Sequence, residues 1–285
     1  MLVTGKQILQ HADEHGYAVG AFNVNNMEII QAIAQAADDL RAPVILQASQ
    51  GAIKYAGVDY ITSLVKTTAE RLDVPMTLHL DHGTDFEEIM KCIRSGFTSV
   101  MIDASKHELD ENIRLTKEIV RIAHAVGVSV EAEIGKIGGT EDQIVVSDAE
   151  ATYTDPEEAR IFVEETGVDS LAIAVGTAHG VYKGEPKVDI ERIKEIDRVV
   201  SVPLVLHGSS GVPYDTLEKA VAAGIRKINI DTDIRASFAG AVKAFVAENP
   251  DEIDPRKILK PARTAMAETV KEKINVFGSD GKAWK

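Results

Sequence analysis

MTLHLDHG, residues Met76–Gly83, begins as an apolar, strand-like run and ends in two histidines and an aspartate. A run that turns titratable only at its end reads as a buried strand arriving at a reactive face. Runs of the same kind recur through the chain. They predict strands at Ala18–Asn23, Val44–Ala48, Met76–Leu80, Ser99–Asp103, Ser129–Ile134, Ser170–Val175, Leu204–His207 and Lys227–Asp231. Helix-period segments lie between them, at Glu28–Leu40, Ile61–Leu72, Glu108–Val126, Pro156–Thr166 and Tyr214–Ala223. Several strands follow a helix-stopping glycine, as in GFTSV, GVSVEAE, GVDSLAIAV and GIRKINI. Eight strands alternating with helices over 285 residues predict an α/β fold, a parallel (β/α)8 TIM barrel. A doubly wound open sheet is the main alternative, but no GxGxxG follows the first strand. No linker or repeat divides residues 1–285, which are expected to form a single barrel domain. The tail from Phe245 to Lys285 is expected to add a C-terminal helical arm.

Composition narrows the function. A hydrophobic content of 45% with 27% charged residues suits a soluble protein with an ample core. A net charge of −14 argues against general nucleic-acid binding, which needs a basic footprint. An anionic substrate must then be met by a local device such as a metal, backbone N–H groups or a few Lys/Arg. The single cysteine, Cys92, excludes an internal disulfide or a cysteine-based zinc site. No signal-type or membrane-spanning apolar run is present, so a cytoplasmic setting without a membrane partner is expected.

Active sites of such barrels lie at the C-terminal strand ends and in the loops that follow. The predicted strands end in Asn23 and Asn25, Gln47 and Ser49, Asp81 and His82, Asp103, Glu133, His179, His207, Asn229 and Asp231. Chain turns favour Gly, Ser, Asn and Asp, which accounts for about half of these; it does not account for three histidines and a glutamate. His82, His179 and His207 match the number of ligands a catalytic Zn²⁺ takes while keeping a position open. His11, His15 and His107 are expected to be solvent-exposed, and His124 lies in a helix. His79 shares strand parity with Asp81. It either points into the barrel and orients its neighbours or is a hydrogen-bonded core histidine. HGSSG (His207–Gly211) and the helix-opening NIDTD (Asn229–Asp233) resemble the two loops from which barrels build phosphate sites. HGVYKG adds Lys183. GKIGGTEDQ (Gly135–Gln143) carries Glu141 and reads as a mobile loop able to close over a substrate.

Taken in order, AFNVNN, HLDHG, GFTSVMIDAS, VEAEIGKIGGTED, GTAHGVYKGEP, PLVLHGSSG, KINIDTD and DPRKIL resemble the class II, metal-dependent fructose-bisphosphate aldolases over essentially the whole chain. The similarity is to the bacterial branch that includes tagatose-bisphosphate aldolases. It implies reversible cleavage of fructose 1,6-bisphosphate to two triose phosphates through a zinc-stabilised enediolate, as in glycolysis. Tagatose 1,6-bisphosphate or a related keto-sugar phosphate is the alternative. The resemblance assigns His82, His179 and His207 to the catalytic zinc and Asp103 and Glu133 to a second divalent position; Na⁺ or K⁺ is a further expected cofactor. Asp81 would be the acid/base at the aldehyde-side hydroxyl, and Glu141 would move the proton at the enediolate carbon. Gly180, Gly208, Ser210, Asn229, Asp231 and Thr232 would hold dihydroxyacetone phosphate. Ser209, where the family often has Gly or Ala, would contribute backbone. Ser49 would contact the aldehyde half, and Arg256 would bind the distal phosphate from a partner subunit in a homodimer or homotetramer.

Three other functions could use parts of this pattern. A metal-dependent hydrolase on the same barrel would leave the two phosphate-type loops without a purpose. A non-catalytic sugar-phosphate binder would not require carboxylates beside the metal. A Schiff-base aldolase would need a lysine at a strand end inside the barrel. The nearest are Lys136, in a loop, and Lys227, which the sequence puts at a strand start.

Overall fold

The computed structural model describes residues 1–141, 144–147, 151–182, 184 and 186–284. The chain opens with α1 (Gly5–His15), β1 (Val19–Asn23), α2 (Met27–Asp39) and β2 (Val44–Ser49). It continues through α3 (Gln50–Ala56), α4 (Val58–Arg71), β3 (Met76–Gly83), α5 (Phe86–Ser95), β4 (Ser99–Ile102), α6 (Leu109–Ala125) and β5 (Ser129–Ile134). A short hairpin follows, β6 (Gly138–Glu141) and β7 (Ile144–Val146), then α7 (Pro156–Thr166), β8 (Ser170–Ile173) and the two-residue β9 (Ala178–His179). The last elements are α8 (Ile190–Asp197), β10 (Leu204–Leu206), α9 (Tyr214–Ala222), β11 (Ile225–Ile230), α10 (Thr232–Glu248) and α11 (Pro255–Val276).

Eight strands close into a parallel barrel in the order β1-β11-β10-β8-β5-β4-β3-β2, as the alternation of strand and helix predicts. Outward-facing side chains such as Leu46, Leu78, Leu80, Val130 and Ile228 pack beneath the helices in one continuous core. Burying each such side chain contributes about 1.5–3 kcal/mol. The inward face differs from one end to the other. At the N-terminal end Val19, Ala21 and Ile45 meet Ile8, Leu9 and Ala12 of α1, which plugs the barrel from below. A capping box between Thr4 and Gln7 fixes the start of that helix. Toward the C-terminal end the interior becomes polar, with His79, Asp81, Glu131, Glu133, Lys227 and Asn229 all buried.

Two segments differ from the sequence reading. α10 belongs to the eighth β/α unit and runs on to Glu248, so position 245 falls inside a helix. The arm beyond it is the single helix α11, lying along α10 and α2. The glycine-rich segment predicted as a loop contains strand β6, which pairs with β7 and, in parallel, with β9. Gly138 and Gly139 pair there with Ala178 and His179. A Cβ at Gly139, whose φ is +102°, would lie 2.2 Å from the His179 carbonyl oxygen, so glycine permits this close pairing.

Candidate active site

Strict alternation along β3 would send His82 to the opposite face from Asp81. The structure resolves this through the backbone. His82 has φ +48°, one of two non-glycine residues in the left-handed region among the described residues, and β3 shifts register against β4 between Leu80 and Gly83. Strain at such a residue costs about 1–3 kcal/mol and persists where the surroundings enforce it. Both Asp81 and His82 are buried at the barrel mouth as a result.

His82, His179 and His207 converge, with one ring nitrogen from each within 4.8 Å of the others. Their rings stand nearly perpendicular, at centroid separations of 5.0, 4.7 and 5.8 Å. His82 Nδ1 lies 3.0 Å from Asp103 Oδ2, and His207 Nε2 lies 3.1 Å from Glu131 Oε1. A carboxylate only accepts, so each of these nitrogens carries the proton. The two remaining nitrogens, His82 Nε2 and His207 Nδ1, face each other 2.9 Å apart. Burial opposes the charge on Asp103, but the hydrogen bonds from His82 and Ser105 outweigh it and hold the carboxyl below its usual range. Burial holds His207 toward the neutral form. Three convergent imidazole nitrogens, with His82 and His207 each held from behind by a carboxylate, suit a cation, so the donor set fits a metal. His82, Asp103 and Glu133 form a second buried group of the same kind.

Asp81 is fully buried beside this cluster. Its Oδ1 accepts from Asn229 Nδ2 at 3.2 Å, and its Oδ2 accepts from Asn23 Nδ2 and Gln47 Nε2, each at 3.0 Å. Asn23 and Gln47 were legible as polar strand ends, but the sequence carried no sign that they orient the aspartate.

An adjoining cavity of about 110 Å³ is lined by Asn23, His179, Gly180, Gly208, Ser209, Ser210, Asn229, Asp231, Thr232 and Arg235. It therefore brings together Gly180 and the residues predicted from the last two loops. Gly208 has φ +59°, and a Cβ there would lie 2.5 Å from the Ala178 carbonyl oxygen. Tyr182 spans the same gap: its hydroxyl accepts from Ala178 N and donates to Gly208 O, each at 2.7 Å. Ser210 Oγ accepts from the N–H groups of Asp231 and Asp233, at 3.2 and 3.3 Å. Two N–H groups at the start of α10 are thus satisfied within the protein. Arg235, which the sequence reading missed, sits one helical turn beyond Asp231 and pairs with it at 2.7 Å. Its signal was the i,i+4 spacing from a strand-end aspartate.

Other expected residues lie elsewhere. Ser49 caps α3 by accepting from Ala52 N at 3.2 Å and does not line the cavity. Arg256 stands in the first turn of α11, 89% exposed and paired with Asp254. Glu141 lies in β6, and Lys183 falls outside the described residues. His15, His107 and His124 are exposed. His11 instead stacks between His15 and Trp284 and bonds the Tyr17 hydroxyl. Lys227 is not at the strand start. It is the third residue of β11, buried inside the barrel, with Nζ 2.9 and 2.8 Å from the two Glu131 oxygens.

Donors arranged in this way have one evident use, holding a cation, and they place the chain among metal-dependent barrel enzymes. Comparison with known proteins narrows the class. The family description "Fructose-bisphosphate aldolase class-II" matches residues 3–282. A fructose-bisphosphate aldolase of Thermus caldophilus is 48% identical over 306 aligned residues, covering 99% of this chain and 100% of the relative. A probable fructose-bisphosphate aldolase of Bacillus subtilis (strain 168) is 47% identical, with 99% of each chain covered. The crystal structure of the YdjI aldolase from Escherichia coli K12 superposes with a TM-score of 0.87 at 38% identity, over 100% of both chains. The chain belongs to the class II fructose-bisphosphate aldolase family, whose members are metal-dependent lyases.

Proposed function

We propose that the chain reversibly cleaves fructose 1,6-bisphosphate to dihydroxyacetone phosphate and glyceraldehyde 3-phosphate, as a cytoplasmic homo-oligomer using zinc. One observation carries this reading: the convergent ring nitrogens of His82, His179 and His207 stand beside a buried, fully oriented Asp81. His82, His179 and His207 would hold the catalytic ion, Asp103 and Glu133 would offer a second divalent position, and Na⁺ or K⁺ would be a companion cation. The divalent ion supplies a Lewis acid for the ketose carbonyl as charge develops on that oxygen.

Asp81 removes the proton from the hydroxyl next to the bond that breaks. Three side-chain amides donate to it, leaving the carboxylate as an acceptor in a fixed orientation. Glu141 returns a proton to the enediolate carbon. The pairing of β6 with β9 supports that role, since it ties the Glu141 hairpin to the strand of His179. Gly180, Gly208, Ser209, Ser210, Asn229, Asp231 and Thr232 hold the dihydroxyacetone phosphate half, with Lys183 nearby in sequence. Arg235, paired with Asp231, faces the aldehyde half together with Ser49, and Arg256 reaches the distal phosphate of a neighbouring subunit. The Schiff-base alternative loses its best residue, because the three N–H groups of Lys227 are all engaged below the cavity.

The test is an assay of metal-reconstituted protein on fructose and tagatose 1,6-bisphosphates, following triose phosphate release. Faster cleavage of the fructose isomer is expected. Preference for tagatose would replace the substrate assignment, and cleavage of neither would overturn the proposal.

A further inference from the structure

Beneath the histidine cluster lies a second polar layer that the proposed chemistry does not use. Lys227, Glu131, His79 and Ser99 project into the barrel and are almost wholly buried. Counting donors and acceptors fixes every proton in it. Lys227 has three protons and no acceptor; they go to Glu131 Oε1 at 2.9 Å, Glu131 Oε2 at 2.8 Å and His79 Nε2 at 3.4 Å. His79 Nε2 is therefore an acceptor, and His79 Nδ1 carries the proton that it donates to Ser99 Oγ at 2.8 Å. Glu131 accepts from Lys227 through both oxygens, from Ser170 Oγ at 3.4 Å and from His207 Nε2 at 3.1 Å.

We propose that Lys227 and Glu131 are positioning residues that fix the tautomer of His207. Glu131 accepts the Nε2–H and so leaves the unprotonated Nδ1 turned toward the histidine cluster; Lys227 anchors Glu131 in that orientation. The inference rests on the metal-aldolase reading for its consequence, but the tautomer is a property of the protein alone. An unpaired buried carboxylate would be strongly destabilising, which is why the lysine accompanies the glutamate. His79 completes the layer by taking the third lysine proton, which settles its place: it points into the barrel and supports Glu131 through Lys227. Carboxylate partners of ligating histidines typically change metal affinity about 10–100-fold when removed.

Two neutral pairs of similar volume separate this role from simple packing. Glu131→Gln with Lys227→Met keeps an acceptor for His207 Nε2–H, whereas Glu131→Leu with Lys227→Met removes it. Both are prepared as full-length chains with ¹⁵N-labelled histidine. The His207 tautomer is read by NMR after chelator treatment, and Zn²⁺ affinity by competition with a chromophoric chelator. The Gln pair is expected to keep the Nε2–H tautomer and to bind Zn²⁺ within about 5-fold of the parent, while the Leu pair loses the single tautomer and binds about 10–100-fold more weakly. Lys227→Met alone is expected to fall with the Leu pair. Equal tautomer populations in the two pairs would overturn the inference. If the parent binds no Zn²⁺, the metal reading fails, and the tautomer comparison still decides this one. Should Lys227→Met fail to fold, the two neutral pairs remain sufficient.

Discussion

The hydroxyl of Tyr182 donates to the carbonyl of Gly208 at 2.7 Å while accepting the N–H of Ala178 at the same distance. One side chain thus ties the loop that carries His179 to the loop that follows His207. Burial pushes this phenol up to about 12, so it stays a donor across the working pH range. Tyr182→Phe removes both bonds without changing the ring. Each neutral hydrogen bond contributes about 0.5–1.5 kcal/mol. A roughly 10-fold loss in kcat/KM, with a fall of about 2–10 °C in melting temperature, is expected. Unchanged kinetics would mean that the two loops hold their spacing without the clamp.

Asp81 offers a sharper separation of roles. Asp81→Ala is expected to lose about 100-fold or more in kcat, as removal of a general base does, while still binding zinc stoichiometrically. His82→Ala should lose both. Metal content by atomic absorption, measured beside turnover, checks the pair. Normal turnover by the Asp81 variant would sink its assignment.

Chelation distinguishes metal from Schiff-base chemistry in one experiment. EDTA treatment is expected to abolish cleavage and added Zn²⁺ to restore it. Borohydride with substrate should leave the chain unmodified by mass spectrometry, because Lys227 is occupied by Glu131 and His79. A reduced adduct on any lysine would contradict this.

Arg235 lines the cavity beside Asp231. Arg235→Ala is expected to raise KM for the bisphosphate about 10-fold, the scale of one charge-assisted hydrogen bond. The effect should shrink for fructose 1-phosphate, which lacks the distal phosphate. An equal effect on both substrates would place Arg235 at the other phosphate.

The buried histidines set a pH dependence of stability. Burial, and next the charge of Lys227, hold His79 well below its ordinary value of 6.5. His207 is lowered by burial in the same direction. Below about pH 6.5 the unfolded chain binds protons at these positions that the folded chain does not. Stability then falls as pH drops, by up to about 1.4 kcal/mol per pH unit for each such proton, and levels off above that value. Melting curves of chelator-treated protein between pH 8 and 5 should show this slope, and His79→Asn should make it shallower. A flat profile would mean that His79 is charged in the fold.

Much of this was legible because a barrel strand writes two independent messages at alternate positions. Leu78 and Leu80 announce the helix-facing side, and His79 and Asp81 the interior. The upper polar layer, Asp81, Glu133 and Asn229, stood out because it ends strands. The lower layer, His79, Glu131 and Lys227, follows the same parity two residues earlier; its histidine drew notice, its lysine was read as a strand start, and its glutamate passed unremarked. A lysine and a glutamate 96 positions apart declare nothing until the sheet closes. Nor could alternation place His82, whose direction depends on a left-handed backbone that sequence pattern does not encode. The clamp by Tyr182 and the pairing of β6 with β9 are likewise products of the closed barrel.

The left-handed turn at His82 has a consequence for how the protein can vary. It sets the proposed metal-ligating and proton-transfer groups on adjacent residues, both buried at the barrel mouth. Their separation is therefore dictated by covalent geometry rather than by packing. Changes in the surrounding core that displace β3 carry both groups together, so they should scale the overall rate without uncoupling the two tasks. Drift elsewhere in the barrel can accumulate while the reacting centre keeps its internal dimensions.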